Sequence, residues 1–220
     1  MLVLMEKPSS TGRELEEALR RELGEVGVET FPLKVNWTGK RVIQPFPVLN
    51  SQSRSDKLAQ LTWLELNGVR VPKFSLAPQP NWLGRTIFHQ RSRDFRQKVD
   101  PDFWTEYTPV EEEWRLHFFR SKKGNLRLLR SGIKVPKPGA NPLFRGHSLG
   151  WRLSYTGGAP EVLRTSARSA VDALQLDFGA VDIGFTPGEE PVVFEVNTCP
   201  GLDSGTLQLY VQNILERGAL

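Results

Sequence analysis

DFGAVDIGFTPGEEPVVFEVNTCPGLDSGTL, residues 177–207, decides how the rest of the chain is read. Two β-rich runs flank TPGEE, a turn-forming cluster, so the stretch predicts a hairpin. Side chains alternate faces along a strand, which puts Val181, Ile183 and Phe185 on one side and Ala180, Asp182 and Gly184 on the other. In the second strand Val192, Phe194 and Val196 form the apolar side, leaving Val193, Glu195 and Asn197 opposite. Matching the apolar faces pairs Val181 with Val196, Ile183 with Phe194 and Phe185 with Val192, a register that also sets Asp182 across from Glu195.

Two carboxylates facing each other across a ladder repel, which the scale of cross-strand pairs makes unfavourable without a compensating cation. Carboxylate and amide oxygens without His or Cys are hard ligands, suited to Mg²⁺ or Mn²⁺, and Asn197 shares the face of Glu195. Mg²⁺ usually bridges a few carboxylates to nucleotide phosphates, so this face is expected to meet a phosphate ligand, with small Ala180 and Gly184 leaving room for it. The competing reading of the alternation is a hairpin with a solvated polar face.

Working outward, LVLM near the start reads as a buried strand. A helix follows, with Thr11 and Glu14 at capping-box spacing, Leu15, Leu19 and Leu23 on one face and Gly24 as its end. VGVETF and LKVNW read as strand pieces, with a boundary near residue 50. Ser55 is placed to cap a helix carrying Leu58, Leu61 and Leu64, which Gly68 stops before a strand-like VRVP. GRTIF, DFWTEY, EWRLHFF and NLRLLRSGIKV are further strands. Pro160 opens a helix ahead of the hairpin, and TLQLYVQNILERG closes the chain as another. Strands and helices mix without strict alternation, which predicts an α+β, two-subdomain α/β architecture.

The 220 residues are 39% apolar, enough for a buried core, and no run reaches the length of a membrane span. MLVLMEKPSS has too short an apolar segment for a signal peptide, so the expectation is a cytoplasmic protein. One cysteine, Cys199, excludes an intrachain disulfide and, lacking Cys or His at ligand spacing, a structural zinc site. Lys and Arg number 29 against 25 acids, a net charge of +4. The basic residues cluster at 89–98 and again from Arg120 through Arg130 to Lys137, which reads either as solvated faces or as contacts to nucleic acid or nucleotide phosphate.

DFGAVDIGF, VVFEVNTCPGL and the upstream EEEWRLHFF together resemble the ATP-grasp superfamily. VNWTG, LN ahead of a helix with a lysine, TEY and FRGHSLGW occur in the order found in the phage-associated COOH–NH2 ligase-like members, so that the resemblance spans roughly residues 35–215. It implies an ATP-grasp fold with nucleotide between two subdomains. Residues 1–50 would be a truncated N-terminal unit, 51–108 the first subdomain, and 109–220 the second, which carries the metal site.

It implies further that Asp182, Glu195 and Asn197 hold Mg²⁺ or Mn²⁺ and that Lys57 and Arg85 meet the phosphates of ATP. Glu106 and Tyr107 would meet the adenine, and Glu113 the ribose hydroxyls, with Glu111 or Glu112 able to replace it. Arg115 is implied as a phosphate or substrate contact, and Lys134, Arg145 and His147 as contacts to an acyl-phosphate or a substrate carboxylate. The implied activity is ATP-dependent joining of a carboxylate to an amine, the two substrates being small molecules or peptides. HQRSRDF stands where the family has a glycine-rich flap over the phosphates, so Arg91 and Arg93 would replace backbone amides there. The alternative is a binding protein of the same shape that uses nucleotide or nucleic acid without making an amide bond.

Overall fold

The computed structural model describes residues 2–5, 9–38, 40–44, 47–51, 56–87, 100–188 and 190–219. The 89–98 basic cluster, with Arg91 and Arg93 of the expected flap, lies outside the described residues. The predicted hairpin is β10 (Phe178–Phe185) and β11 (Pro191–Asn197). It sits at one side of a five-stranded antiparallel sheet, order β11-β10-β7-β8-β9, with β7 Glu112–Arg120, β8 Leu126–Pro136 and β9 Trp151–Ser154. A three-stranded antiparallel sheet precedes it in the chain, ordered β4 (Phe74–Ser75), β6 (Phe103–Thr105), β5 (Leu83–Arg85). The third sheet is parallel, β1 (Val3–Leu4), β2 (Lys34–Asn36) and β3 (Val48–Leu49) in that order. With the four helices of the described residues around these sheets, the architecture is the expected α+β one.

One face of the large sheet is apolar because Trp114, Leu116 and Phe118 on β7, Val181 and Ile183 on β10, and Val193 and Val196 on β11 all point that way. They pack on Leu163, Ala167, Ala170 and Val171 of α3 (Glu161–Ala173). Leu64 of α2 (Lys57–Leu66) joins the same core, so α2 belongs with the large sheet in packing although it precedes the small one in sequence. The α2 side chain Gln60 closes the outer edge of β11: its Nε2 donates to the Val196 carbonyl (3.1 Å) and its Oε1 accepts from the Val196 N–H (3.3 Å). An exposed strand edge would otherwise present unpaired backbone groups.

On the other face Phe119 and Phe178 meet Tyr210, Val211 and Ile214 of α4 (Ser204–Gly218) together with Leu15, Leu19, Val35, Trp37 and Leu49 from the first fifty residues. The N-terminal unit therefore shares its core with the C-terminal helix. Asn50 welds the two at a single point. Its Oδ1 accepts from the Asp177 and Phe178 N–H groups (2.7 and 3.1 Å), its Nδ2 donates to the Phe178 carbonyl (2.9 Å), and its own N–H donates to Asp177 Oδ2 (2.7 Å). It does this fully buried and at φ 56°, a left-handed conformation that asparagine tolerates better than most residues.

Several local expectations are corrected. Helix α1 (Ser10–Thr30) is capped by Ser9, whose Oγ accepts from the Gly12 N–H, not by Thr11. Gly24 does not end it: the chain kinks there at φ 67°, ψ 175°, and resumes as helix through VGVET, which was read as a strand. A glycine absorbs that left-handed step at no steric cost, and helix returns on the far side. The cap of α2 is Asp56, accepting from the Ala59 N–H at 2.9 Å, while Ser55 is outside the described residues. VRVP forms no strand, although the Arg70 carbonyl accepts from Val193 N–H at 2.9 Å. GHSLGW contributes a 3₁₀ turn at His147–Leu149 and the start of β9, a strand absent from the sequence reading.

Asn50→Ala is expected to lower unfolding free energy by about 2–4 kcal/mol, since it strands buried backbone groups and strains a left-handed residue. Asn50→Gly, which relieves only the strain, should recover a minor part of that. Urea denaturation midpoints of the three proteins are the check.

Candidate functional site

The hairpin register is as expected as far as the acids: Ala180 lies opposite Asn197, Val181 opposite Val196 and Asp182 opposite Glu195. There it breaks. Ile183 pairs with Val193, Gly184 with Val192 and Phe185 with Pro191, so a bulge leaves Phe194 unpaired. The bulge inverts the faces of the first half of β11: Val193 enters the core against α3, whereas Phe194, read as a core residue, turns to the polar side and lines a cavity beside Glu195 and Asn197. Gly184 leaves no room for a ligand. A Cβ there would lie 2.8 Å from the Glu112 carbonyl oxygen and 2.9 Å from Val110 Cγ1, so its smallness serves the close passage of the chain entering β7.

The cavity, of about 500 Å³, opens between the small and large sheets. Its lining brings together most of the residues singled out by sequence. Arg85 comes from β5, Glu106 and Tyr107 from the 106–111 linker between the sheets, Glu113 and Arg115 from β7 and Lys134 from β8. Arg145 and His147 come from the loop before β9, and Asp182, Glu195 and Asn197 from the hairpin. Lys57 is the exception: it is buried in the first turn of α2 and is not among the lining residues. Among the described residues, none of the first fifty lines the cavity. Phe194, Leu143, Phe144, Leu149 and Trp151 supply apolar wall that the sequence reading missed. For Phe194 the signal was hidden by the bulge, and the others lie on β9 and the loop before it.

Asp182 is the centre of the polar cluster. β10 lies between β11 and β7, so Asp182 faces Glu195 on one side and Arg115 on the other. Arg115 grips it in a two-pronged bond, Nε to Oδ1 at 2.8 Å and Nη2 to Oδ2 at 2.7 Å. Lys134 Nζ stands 3.7 Å from Asp182 Oδ2 and is hydrogen-bonded to Glu113 as well. The cation that relieves the Asp182–Glu195 repulsion within the chain is therefore Arg115, where the sequence reading assigned that part to a metal. Burial alone would push the Asp182 carboxyl up, but the charges of Arg115 and Lys134 hold it well below the usual carboxylate range. Glu113 goes the other way: burial raises it, against the pull of Lys134.

Asn197 turns its Nδ2 toward Asp182 Oδ2 at 3.4 Å, which leaves the amide oxygen at the other end of the group. Among the described residues no three His, Cys, Asp or Glu side chains converge as a metal cage. Asp182, Glu195 and Asn197 do line the same cavity, and their carboxylate and amide oxygens are of the kind that suits Mg²⁺, which takes few protein ligands and completes its shell with water and phosphate. A carboxylate has about four lone-pair sites, so the grip of Arg115 leaves Asp182 capacity for a cation.

Below this cluster, on the same face of β7, His117 is fully buried. Its Nδ1 lies 3.3 Å from Tyr210 Oη, and its Nε2 has no hydrogen-bond partner among the described residues. Burial, reinforced by Arg115, pushes the imidazole down to about 3. Arg145 lines the cavity, but its Nη2 donates to the Val110 carbonyl at 2.5 Å and the Glu111 carbonyl at 3.1 Å. The second basic cluster is largely neutralised within the chain. Arg120 pairs with Asp172, Arg127 with Glu216, Arg130 with Asp203 and Lys134 with Glu113, and Lys122 donates to the Ala219 carbonyl.

No protein-family model and no curated protein matches the sequence. Solved structures do match. The ATP-grasp ligase PsnB, in complex with a phosphomimetic variant of minimal precursor, Mg and ADP, superposes with a TM-score of 0.67 at 12% identity over 99% of this chain and 98% of its own. The VanG D-Ala:D-Ser ligase from Enterococcus faecalis matches at 0.64 and 15% identity, over 86% of this chain and 73% of its own. N5-carboxyaminoimidazole ribonucleotide synthetase from Thermotoga maritima matches at 0.56 and 16% identity, over 90% of this chain, which spans 62% of that enzyme's length. At these identities the likeness is one of fold.

Two outcomes are expected. Asp182→Asn should cost about 3–5 kcal/mol of stability, because it leaves a mostly buried guanidinium short of its counter-charge, whereas Glu195→Gln should stay within about 1 kcal/mol; thermal or urea unfolding separates them. Below about pH 6.5 the unfolded chain binds a proton that folded His117 refuses. Stability should then fall by up to about 1.4 kcal/mol per pH unit as pH drops toward 3. The Asp182 carboxylate adds its own loss only at more acid pH, so His117→Gln should flatten the profile between pH 6.5 and 4.5.

Proposed function

We propose that this chain, which has the ATP-grasp fold, is an ATP-dependent carboxylate–amine ligase. The observation that carries the reading is the opposed pair Asp182 and Glu195, with Asn197 beside them and Arg115 and Lys134 next to them on the same sheet, all lining a cleft between two sheets. A solvated hairpin face would not bury Asp182 or hold two cations against it.

In this reading the linker residues Glu106 and Tyr107 border the adenine. Arg85, Arg115 and Lys134 face the phosphates, and Asp182, Glu195 and Asn197 would hold Mg²⁺. Bound there, the ion would screen phosphate charge. Lys57, outside the cavity, is assigned no contact. A substrate carboxylate oxygen attacks the γ-phosphorus of ATP, and the bond from that phosphorus to the bridging oxygen breaks, releasing ADP and leaving an acyl-phosphate. An amine then attacks the acyl carbon, inorganic phosphate departs, the amine loses a proton, and an amide remains.

The protein's share is positioning and charge stabilisation. Asp182 and Glu113 fix the heads of Arg115 and Lys134, so charge arriving on the transferred group meets donors already in place. No protein nucleophile is needed. A cavity of about 500 Å³ suits small molecules or the end of a peptide as the substrates. Against the nucleic-acid alternative, Arg120, Arg127 and Arg130 of the second basic cluster each pair with an acid of the same chain, which lowers the positive charge presented there.

The test is calorimetric binding of Mg-ATP together with ADP release in the presence of pooled amino acids and peptides. Wild type should bind and turn over. Glu195→Gln should lose about 10- to 100-fold in Mg-ATP affinity while remaining folded, the scale of disturbing a metal's ligand set. Unchanged affinity in that variant would remove the metal assignment, and wild-type binding without any ADP release would favour a non-catalytic nucleotide binder.

A further inference from the structure

We infer that Arg145 is a positioning residue, a latch that fastens the outer wall of the cleft to the linker between the two sheets. The linker, residues 106–111, is the covalent connection between β6 and β7, and Glu106, Tyr107, Thr108 and Val110 line the cavity. Facing it is the loop 141–150, which contributes Leu143 to Leu149. That loop is braced on itself. Asn141 Oδ1 accepts from the N–H groups of Leu143 and Phe144, both at 2.9 Å, Asn141 N–H donates to the Leu149 carbonyl at 2.9 Å, and Trp151 Nε1 donates to the Asn141 carbonyl at 2.8 Å.

Arg145 carries this braced unit to the linker. One nitrogen, Nη2, serves both the Val110 and the Glu111 carbonyls, while the guanidinium carbon lies 5.0 Å from the centre of the Trp151 ring. Val110 is also the residue that crowds Gly184 on the β10–β11 hairpin, and the Glu111 N–H donates to the Phe185 carbonyl at 2.9 Å, so the latched segment abuts β10 directly. The planar guanidinium holds the two N–H donors of Nη2 in fixed directions while its carbon lies beside the indole, a geometry that a lysine ammonium on its flexible stem does not preorganise. Its Nη2 is committed to backbone and its guanidinium sits beside an indole, contacts that tie two segments of the wall together. The charge still reaches the site, since Arg145 is among the cations that counter the burial of Glu113.

The ligand arm of the test rests on the nucleotide reading, while the exchange arm does not. Hydrogen exchange followed by mass spectrometry is measured on the full chain, as wild type, Arg145→Met and Arg145→Lys, without and with Mg-ATP. In the free Met variant, residues 106–111 and 141–150 should both exchange at least about tenfold faster, together, with β10 and β11 unchanged. The Lys variant should not rescue the coupling, and it carries the test if the Met variant fails to fold. Mg-ATP should protect both segments in wild type, but in the variants should bind about tenfold more weakly and no longer protect them in concert. Independent exchange of the two segments in wild type overturns the latch. So does a collapse of Mg-ATP affinity in the variants with exchange unaltered, which would make Arg145 a direct ligand contact. If wild type binds no Mg-ATP, the nucleotide reading fails and the exchange of the free proteins alone decides the latch.

Discussion

The site depends on keeping one buried carboxylate charged. Asp182 sits in the middle of a sheet with an acid on one neighbouring strand and arginine on the other, and Arg115 compensates it with two hydrogen bonds. Removing water from a charge costs several kcal/mol, recovered only when geometry is good and further donors are at hand. Here Lys134 and Asn197 supply them. The cluster is also what orders the cleft: strands β7, β8, β10 and β11 each contribute a member, so the charges can be satisfied only when the sheet is assembled in this register.

That register explains what could be read in advance. Alternation located the Asp182–Glu195 juxtaposition because period-two patterning survives as long as pairing is regular. It failed one residue later, at the bulge, where an inserted residue swaps the faces and no local apolar signal marks the change. Phe194 and Val193 exchanged roles for that reason. Arg115 was legible as a site residue only through resemblance, since a pairing partner 67 positions away leaves no trace in spacing.

Elsewhere the misreadings have the same local character. VGVET is β-branched and looks strand-like, yet it follows a helix whose kink at Gly24 lets packing against α4 continue, so tertiary context overrides propensity. Lys57 fell in the expected helix turn but on the wrong side for the cavity, a distinction that needs the helix's docking angle. LN, noticed as a motif, is legible in hindsight as chemistry: Asn50 is the point where the N-terminal sheet is tied to the first residues of β10. The first fifty residues are thus less a separate module than one wall of a common core, and the division of the chain near 50 marks a change of sheet more than a change of folding unit.

The amide of Gln60 has a mechanical implication. It takes both backbone groups of Val196, the residue lying between Glu195 and Asn197, so the placement of those two side chains is tied to a helix at the outer edge of the strand. Helix α2 behaves as a splint: any sliding of it by a fraction of a hydrogen-bond length is delivered to both side chains at once. The placement of these side chains is therefore tied to the stiffness of a helix that lines no part of the cleft, and a substitution in α2 could loosen or tighten them while leaving every polar side chain in the cleft untouched.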